Sequence, residues 1–172
     1  RHRRSGHLVQ GRFKAVLIRD ETRIAEVARY LHLNPVRVGG LGLGKEQVHR
    51  ARNASVADPG RELVEKRLEM LREHRWNSWR VYSGLDASVP WLDESRVGGA
   101  CGGRSRSEQR RALRAYTEAP IRQGHMENPW EGLVGGIVLG DELEAQRLLA
   151  KARVNLREQP MARRVKRRVR PE

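Results

Sequence analysis

The feature that most constrains this chain lies between Leu8 and Pro35, where the hydrophobic period changes from two to 3.6. Within Leu8–Ile18 (LVQGRFKAVLI), Val9, Phe13, Ala15 and Leu17 fall on one face, and Gln10, Arg12 and Lys14 on the other, which predicts a strand. Val16 and Ile18 break the polar face, so that end is expected to be buried on both sides. Asp20 then stands at a helix N-cap position with Glu21 in the first turn. Ile24, Val27, Ala28 and Leu31 follow at helical spacing and predict one apolar stripe. The helix is expected to stop near Asn34, because Pro35 disfavours helical geometry in the residue before it. Its other face stacks Glu26, Tyr30 and Asn34 four residues apart, with neighbouring Cβ atoms about 5–6 Å from each other.

Further along, Gly39, Gly40, Gly42 and Gly44 read as a flexible turn. A phosphate-cradling loop would follow a strand, and here a helix precedes it. Residues 45–59 read as a surface loop, and 61–74 as an amphipathic helix with Leu63, Val64, Leu68, Met70 and Leu71 inward. Trp76, Trp79, Tyr82 and Trp91 are expected to cluster about a polar loop. Residues 98–107 have linker composition, 107–118 predict a basic helix through Arg110, Arg111 and Arg114, and a short helix or turn follows Pro129-Trp130. A last helix from near Asp141 should bury Leu143, Leu148 and Leu149. The expected organisation is therefore 1–44, 45–97, a linker at 98–106, a helical region at 107–160, and a basic, disordered tail at 161–172. The fold class read from this order is α+β.

Composition narrows the partners. Thirty-five Lys+Arg against 21 Asp+Glu give a formal charge of +14 over 172 residues, a field that attracts polyanions, since each neutralised phosphate releases counterions. Arginine outnumbers lysine 30 to 5, which GC-rich coding also produces. No apolar run reaches the roughly 20 residues of a membrane span, and one cysteine, Cys101, excludes an internal disulfide or a multi-cysteine zinc site. None of the six histidines lies two or four residues from another. Carboxylates such as Glu142 read as solvated caps. Tyr30 is the exception, facing away from the apolar stripe with Arg29 and Arg37 nearby. A phenol with a pKa near 10 needs a metal or a base to act as a nucleophile, and Asn34 could offer an oxygen to a hard cation such as Mg²⁺. On spacing alone, a packing tyrosine is the ordinary reading.

Gly6–Lys14 (GHLVQGRFK) followed by Arg29–Arg37 (RYLHLNPVR) resembles the REP-associated tyrosine transposases, within the single-tyrosine HUH, insertion-sequence 200-like transposases. Trp76–Gly84 (WNSWRVYSG) is similar to that family's W-S-S-Y-x-x-Y phrase, and Arg110–Glu118 with Leu139–Glu142 resembles the C-terminal extension of its longer members. The resemblance implies the C-terminal part of a ferredoxin-like HUH domain followed by a mostly helical extension, with residues 45–75 as an insertion.

By the same resemblance, Tyr30 matches the nucleophile that forms a 5′-phosphotyrosine bond. Asn34 matches a further ligand or orienting group for a divalent metal, Mg²⁺ or Mn²⁺. Arg12, Lys14, Arg29, Arg37, Arg110, Arg111 and Arg114 are the expected DNA contacts. The implied partner is single-stranded DNA beside imperfect palindromic hairpins, with a homodimer admitted, no membrane, and a bacterial cytoplasmic, nucleoid-associated setting. The His-hydrophobic-His motif that names the family would lie upstream of residue 1. The expectation is thus a C-terminal portion that binds no metal and cleaves no DNA alone. Two other readings compete: a decayed relative that binds structured DNA without cutting it, and a basic module for RNA or a partner protein in which Tyr30 only packs.

Overall fold

The computed structural model describes residues 15–18, 20–51, 59–124 and 126–151, and over these the chain is α+β and mostly helical. The order is β1 (Leu17–Ile18), α1 (Glu21–His32), α2 (Lys45–Ala51), α3 (Arg61–Glu73), α4 (Trp79–Tyr82), α5 (Glu94–Ala100), α6 (Arg106–Gln123), β2 (Leu133–Val134), β3 (Val138–Leu139) and α7 (Glu142–Lys151). It divides into two compact units: Ile18–Gly132, and Arg1–Leu17 together with Leu133–Glu172. The boundaries expected after residues 44, 97 and 106 all fall inside the first. Strand residues 8–14 and the tail at 161–172 lie outside the described residues. Among the described residues no helix is long and apolar enough to cross a membrane.

Helix α1 begins where Asp20 was expected to cap it, the Asp20 carbonyl accepting the Arg23 and Ile24 N–H groups at 3.0 and 3.3 Å. It ends at His32, and Pro35 enters a 3₁₀ turn, Asn34–Val36, where its missing N–H costs nothing. The apolar stripe forms but does not face a closed core. Val27 is buried, whereas Leu31 is 52% exposed. With Ile18, Ile24, Ala28 and Val97, these residues line an open groove of about 370 Å³.

Helix α3 corrects the inward set read from sequence. Its buried face carries Val64, Arg67, Leu68 and Leu71, at i, i+3, i+4 and i+7, and Met70 lies about 100° round the helix from Leu71 and is exposed. Arg67, 3% exposed, takes the position an aliphatic residue would fill. Its Nε donates to the Leu41 carbonyl at 2.9 Å and its Nη1 to the Ile121 carbonyl, in the last turn of α6, at 3.3 Å. Those carbonyls end a 3₁₀ turn and an α-helix, where acceptors are left over and the backbone dipole favours a cation. Burial pulls the Arg67 pKa down, but a guanidinium remains charged near neutrality. Gly42, at φ 68°, makes room for it: a Cβ there would stand 3.2 Å from Arg67 Nη2. The glycine run is thus pinned rather than loose, with Leu41 and Leu43 buried on either side of Gly42.

Three other expectations change. Lys45–Ala51 is helical, not loop. The four aromatics do not cluster: Trp79 and Tyr82, one α4 turn apart, enter the core, and Trp76 and Trp91 are 91% and 79% exposed. The linker shrinks, because α5 runs to Ala100 and Ser105 with Glu108 forms a capping box that opens α6. Helix α6 then continues past residue 118 to Gln123, since Pro120 and Ile121 are buried, and stops at the left-handed Gly124.

In the second unit, β2 and β3 pair antiparallel with Leu133 opposite Leu139 and Val134 opposite Val138, around Gly135 and Gly136 at φ 61° and 78°. The sheet order is β1-β3-β2, with the Leu17 N–H donating to the Ile137 carbonyl at 2.8 Å. Helix α7 starts beside Asp141 as expected, but Leu143 is exposed and Ala145 is fully buried.

Two stability predictions follow from this core. Arg67→Met should lower unfolding free energy by about 2–4 kcal/mol in urea titration, because two buried carbonyls lose their donors; an unchanged midpoint would contradict the clamp. His32 is 4% exposed, with Nε2 3.2 Å from Ser78 Oγ, and burial pushes its pKa down to about 4. The unfolded chain takes up that proton near 6.5, so stability is full above that pH and falls as pH drops towards 4, by on the order of 3 kcal/mol. His32→Gln should flatten the fall in melting temperature between pH 6.5 and 4.5, and a parallel fall would contradict this.

Candidate functional site

Helical periodicity puts Arg23, Glu26 and Tyr30 on one face of α1, and the turn beyond Pro35 brings Arg37 back over it. These residues form one wall of a cleft of about 570 Å³. Pro120 of α6 and the segment Met126–Glu131 form the rest. The Arg37 guanidinium lies 4.1 Å above the Tyr30 ring centroid, and the Trp130 ring meets Tyr30 edge-on at 5.7 Å and 80°. The phenol is therefore held from two sides, by a cation over one face and an aromatic edge.

Arg29 reaches the same cleft differently. Its side chain is only 14% exposed, its guanidinium sits 4.1 Å over the Tyr116 ring, and Nη2 pairs with Glu127 at 2.5 Å. Arg23 pairs with Glu26 at 2.8 Å. Three arginines and three glutamates (Glu26, Glu127, Glu131) line the cleft, so its formal charge sums to zero.

Of the three tyrosines in the chain, Tyr30 lines this cleft. Tyr82 is in the core, donates its hydroxyl to the Asp93 carbonyl at 3.2 Å, and has its pKa raised by burial. Tyr116 lies beneath Arg29, and burial raises its pKa too, against the lowering effect of that cation.

Asn34 departs from its expected place. The stack Glu26–Tyr30–Asn34 requires helix through Asn34, but α1 ends at His32, and Asn34 is exposed and does not line the cleft. Among the described residues no three His, Cys, Asp or Glu side chains come together to hold a metal ion.

The other expected DNA contacts separate. Arg12 and Lys14 lie outside the described residues. Arg110 donates to Glu94 at 2.9 Å and to Ser88 Oγ at 2.8 Å. Arg114 donates to the Ser83 carbonyl, while its Nε is buried without a hydrogen-bond partner among the described residues. Burial works against charge on Glu94, yet hydrogen bonds from Ser88, Arg110 and Arg106 hold its carboxyl below the usual range. Of the three α6 arginines expected to contact DNA, Arg110 and Arg114 thus fasten α6 to its neighbours, and Arg111 is exposed. Among the residues that sequence reading missed are Arg23 and Glu127, which line the cleft, and Trp130, which packs against Tyr30. Arg23 was legible as Tyr30 minus seven, whereas Glu127 and Trp130 carry no local signal.

Arg110→Ala is accordingly expected to cost about 1–2 kcal/mol of stability, and Arg111→Ala less than about 0.5 kcal/mol, both by chemical denaturation. Equal losses would contradict the division between them.

Comparison with protein-family models, curated proteins and solved structures finds no match for this chain.

Proposed function

We propose that this chain is of the single-tyrosine transposase type and acts on single-stranded or hairpin DNA through Tyr30. The observation that carries the reading is the placement of Tyr30 in a cleft it shares with Arg23, Arg29 and Arg37. Guanidinium groups recognise phosphate oxygens through paired N–H donors and offset the charge that builds on a phosphoryl centre during displacement. The Tyr30 hydroxyl oxygen attacks phosphorus, the bond from phosphorus to the 3′-oxygen breaks, and DNA remains attached as a 5′-phosphotyrosine. The phenol loses its proton and the departing 3′-oxygen gains one. Bond energy is kept in the phosphotyrosine, so rejoining needs no nucleotide triphosphate.

On this reading β1 and α1 derive from a ferredoxin-like catalytic domain. The DNA partner, a homodimer and a nucleoid-associated location in a bacterial cytoplasm belong to the same proposal. On the same reading the described residues supply the tyrosine side of the reaction. A second reading is a decayed relative that binds structured DNA without cutting it.

The test is incubation of the complete protein, this chain preceded by the His-hydrophobic-His segment that the resemblance expects, with a labelled hairpin oligonucleotide carrying a single-stranded flank and with Mn²⁺ supplied. Transposase chemistry predicts a denaturant-resistant adduct that Tyr30→Phe abolishes while binding persists. Binding without adduct in either form selects the second reading, and no binding by either form contradicts both.

A further inference from the structure

We infer that the Glu127 carboxylate occupies the place on Arg29 that a phosphodiester of single-stranded DNA takes, so that the cleft loads by exchanging one anion for another. This rests on the reading of the cleft as a DNA site. The two partners of the pair are held very differently. Arg29 is 14% exposed and lies over Tyr116, so it cannot turn outward without uncovering that ring. The Glu127 side chain is 66% exposed. Its backbone is anchored on both sides by buried Met126 and Pro129, so the side chain can swing into water while the segment stays in place.

A guanidinium receives a carboxylate and a phosphate through the same planar pair of donors. An exposed carboxylate gives up such a pairing at little cost, because water solvates it once released. The charge balance points the same way. With three glutamates facing three arginines, the cleft presents no net attraction to a polyanion as it stands. Arg23 is closed by Glu26 on its own helix, whereas the acid paired with Arg29 lies far out in solvent. Departure of Glu127 leaves Arg29 facing the cleft that Tyr30 and Arg37 line, which seats a phosphate among them. Glu127 acts as an internal competitor that sets the threshold for DNA entry.

The experiment is fluorescence anisotropy of the full chain with a labelled oligothymidylate at fixed salt. Glu127→Gln should tighten binding about fivefold, the scale of a partly exposed ion pair. Arg29→Ala should weaken binding, and adding Glu127→Gln to it should restore nothing. Glu69→Gln removes one negative charge from an exposed position off the cleft and should leave binding unchanged. Equal gains from the Glu127 and Glu69 variants, or a gain that survives in the Arg29→Ala background, would overturn the inference, since either reports overall charge rather than exchange at Arg29. Inorganic phosphate is titrated in parallel, and tighter binding of it than of the oligonucleotide by the Glu127 variant would overturn the assignment to DNA. If the wild-type chain binds DNA and Glu127→Gln binds no tighter, the exchange fails alone. If neither binds, the DNA reading fails and the exchange with it.

Discussion

Arg67 is a cation sealed in the core, and the geometry of the larger unit depends on it. It joins the ends of two elements that have no covalent reason to meet: the 3₁₀ turn closing at Leu41 and the last turn of α6 at Ile121. Both walls of the Tyr30 cleft grow from those points. The chain from Leu33 to Arg37 leads into the first, and Pro120, beside Ile121, belongs to the second. Apolar packing around Trp79 and Leu71 supplies the driving force for collapse, but packing is non-directional. Hydrogen bonds from a rigid planar guanidinium fix where the two carbonyl ends stand, and Gly42 is required there because a side chain would crowd the same group.

The cleft itself is a set of opposed charges arranged about one phenol. Arg23, Arg29 and Arg37 each have an engagement of their own, with Glu26, with Glu127 and Tyr116, and with the Tyr30 ring. A site so neutralised is stable without ligand, because few charges are buried unpaired. It also means that net charge alone is a poor guide to where a polyanion would bind. Of the α6 arginines that form a basic row in sequence, Arg110 is paired with Glu94 and Arg114 donates to the Ser83 carbonyl, while Arg111 is exposed.

What the sequence disclosed follows from how local each signal is. The helix from Asp20 to Pro35 was legible because caps, stripe and stop all lie within sixteen residues, and the same holds for α3 and α7. Arg67 was not legible: a charged residue at a core position reads as polar until the carbonyls it meets are known, and those lie 26 and 54 residues away. The turn between β2 and β3 was overlooked although Gly135-Gly136 between apolar pairs is a hairpin signal in itself. Tyr30 was found by its neighbours in sequence, but Trp130 and Glu127, a hundred residues on, complete its surroundings through tertiary contacts that no periodicity encodes. Asn34 was misplaced for a local reason, since Pro35 removes the last helical turn on which its alignment with Tyr30 depended.

The most direct test of the account is to find which residue carries DNA. Trypsin releases Tyr30–Arg37 as one peptide, separate from those bearing Tyr82 and Tyr116. After reaction of the complete protein, with the expected His-hydrophobic-His segment present, with hairpin DNA and nuclease trimming, mass spectrometry should find the nucleotide mass on the Tyr30–Arg37 peptide through a phosphotyrosine bond. Nucleotide on the Tyr82 or Tyr116 peptide, or an unmodified Tyr30–Arg37 peptide in DNA-bound protein, would contradict the assignment of Tyr30 as the nucleophile.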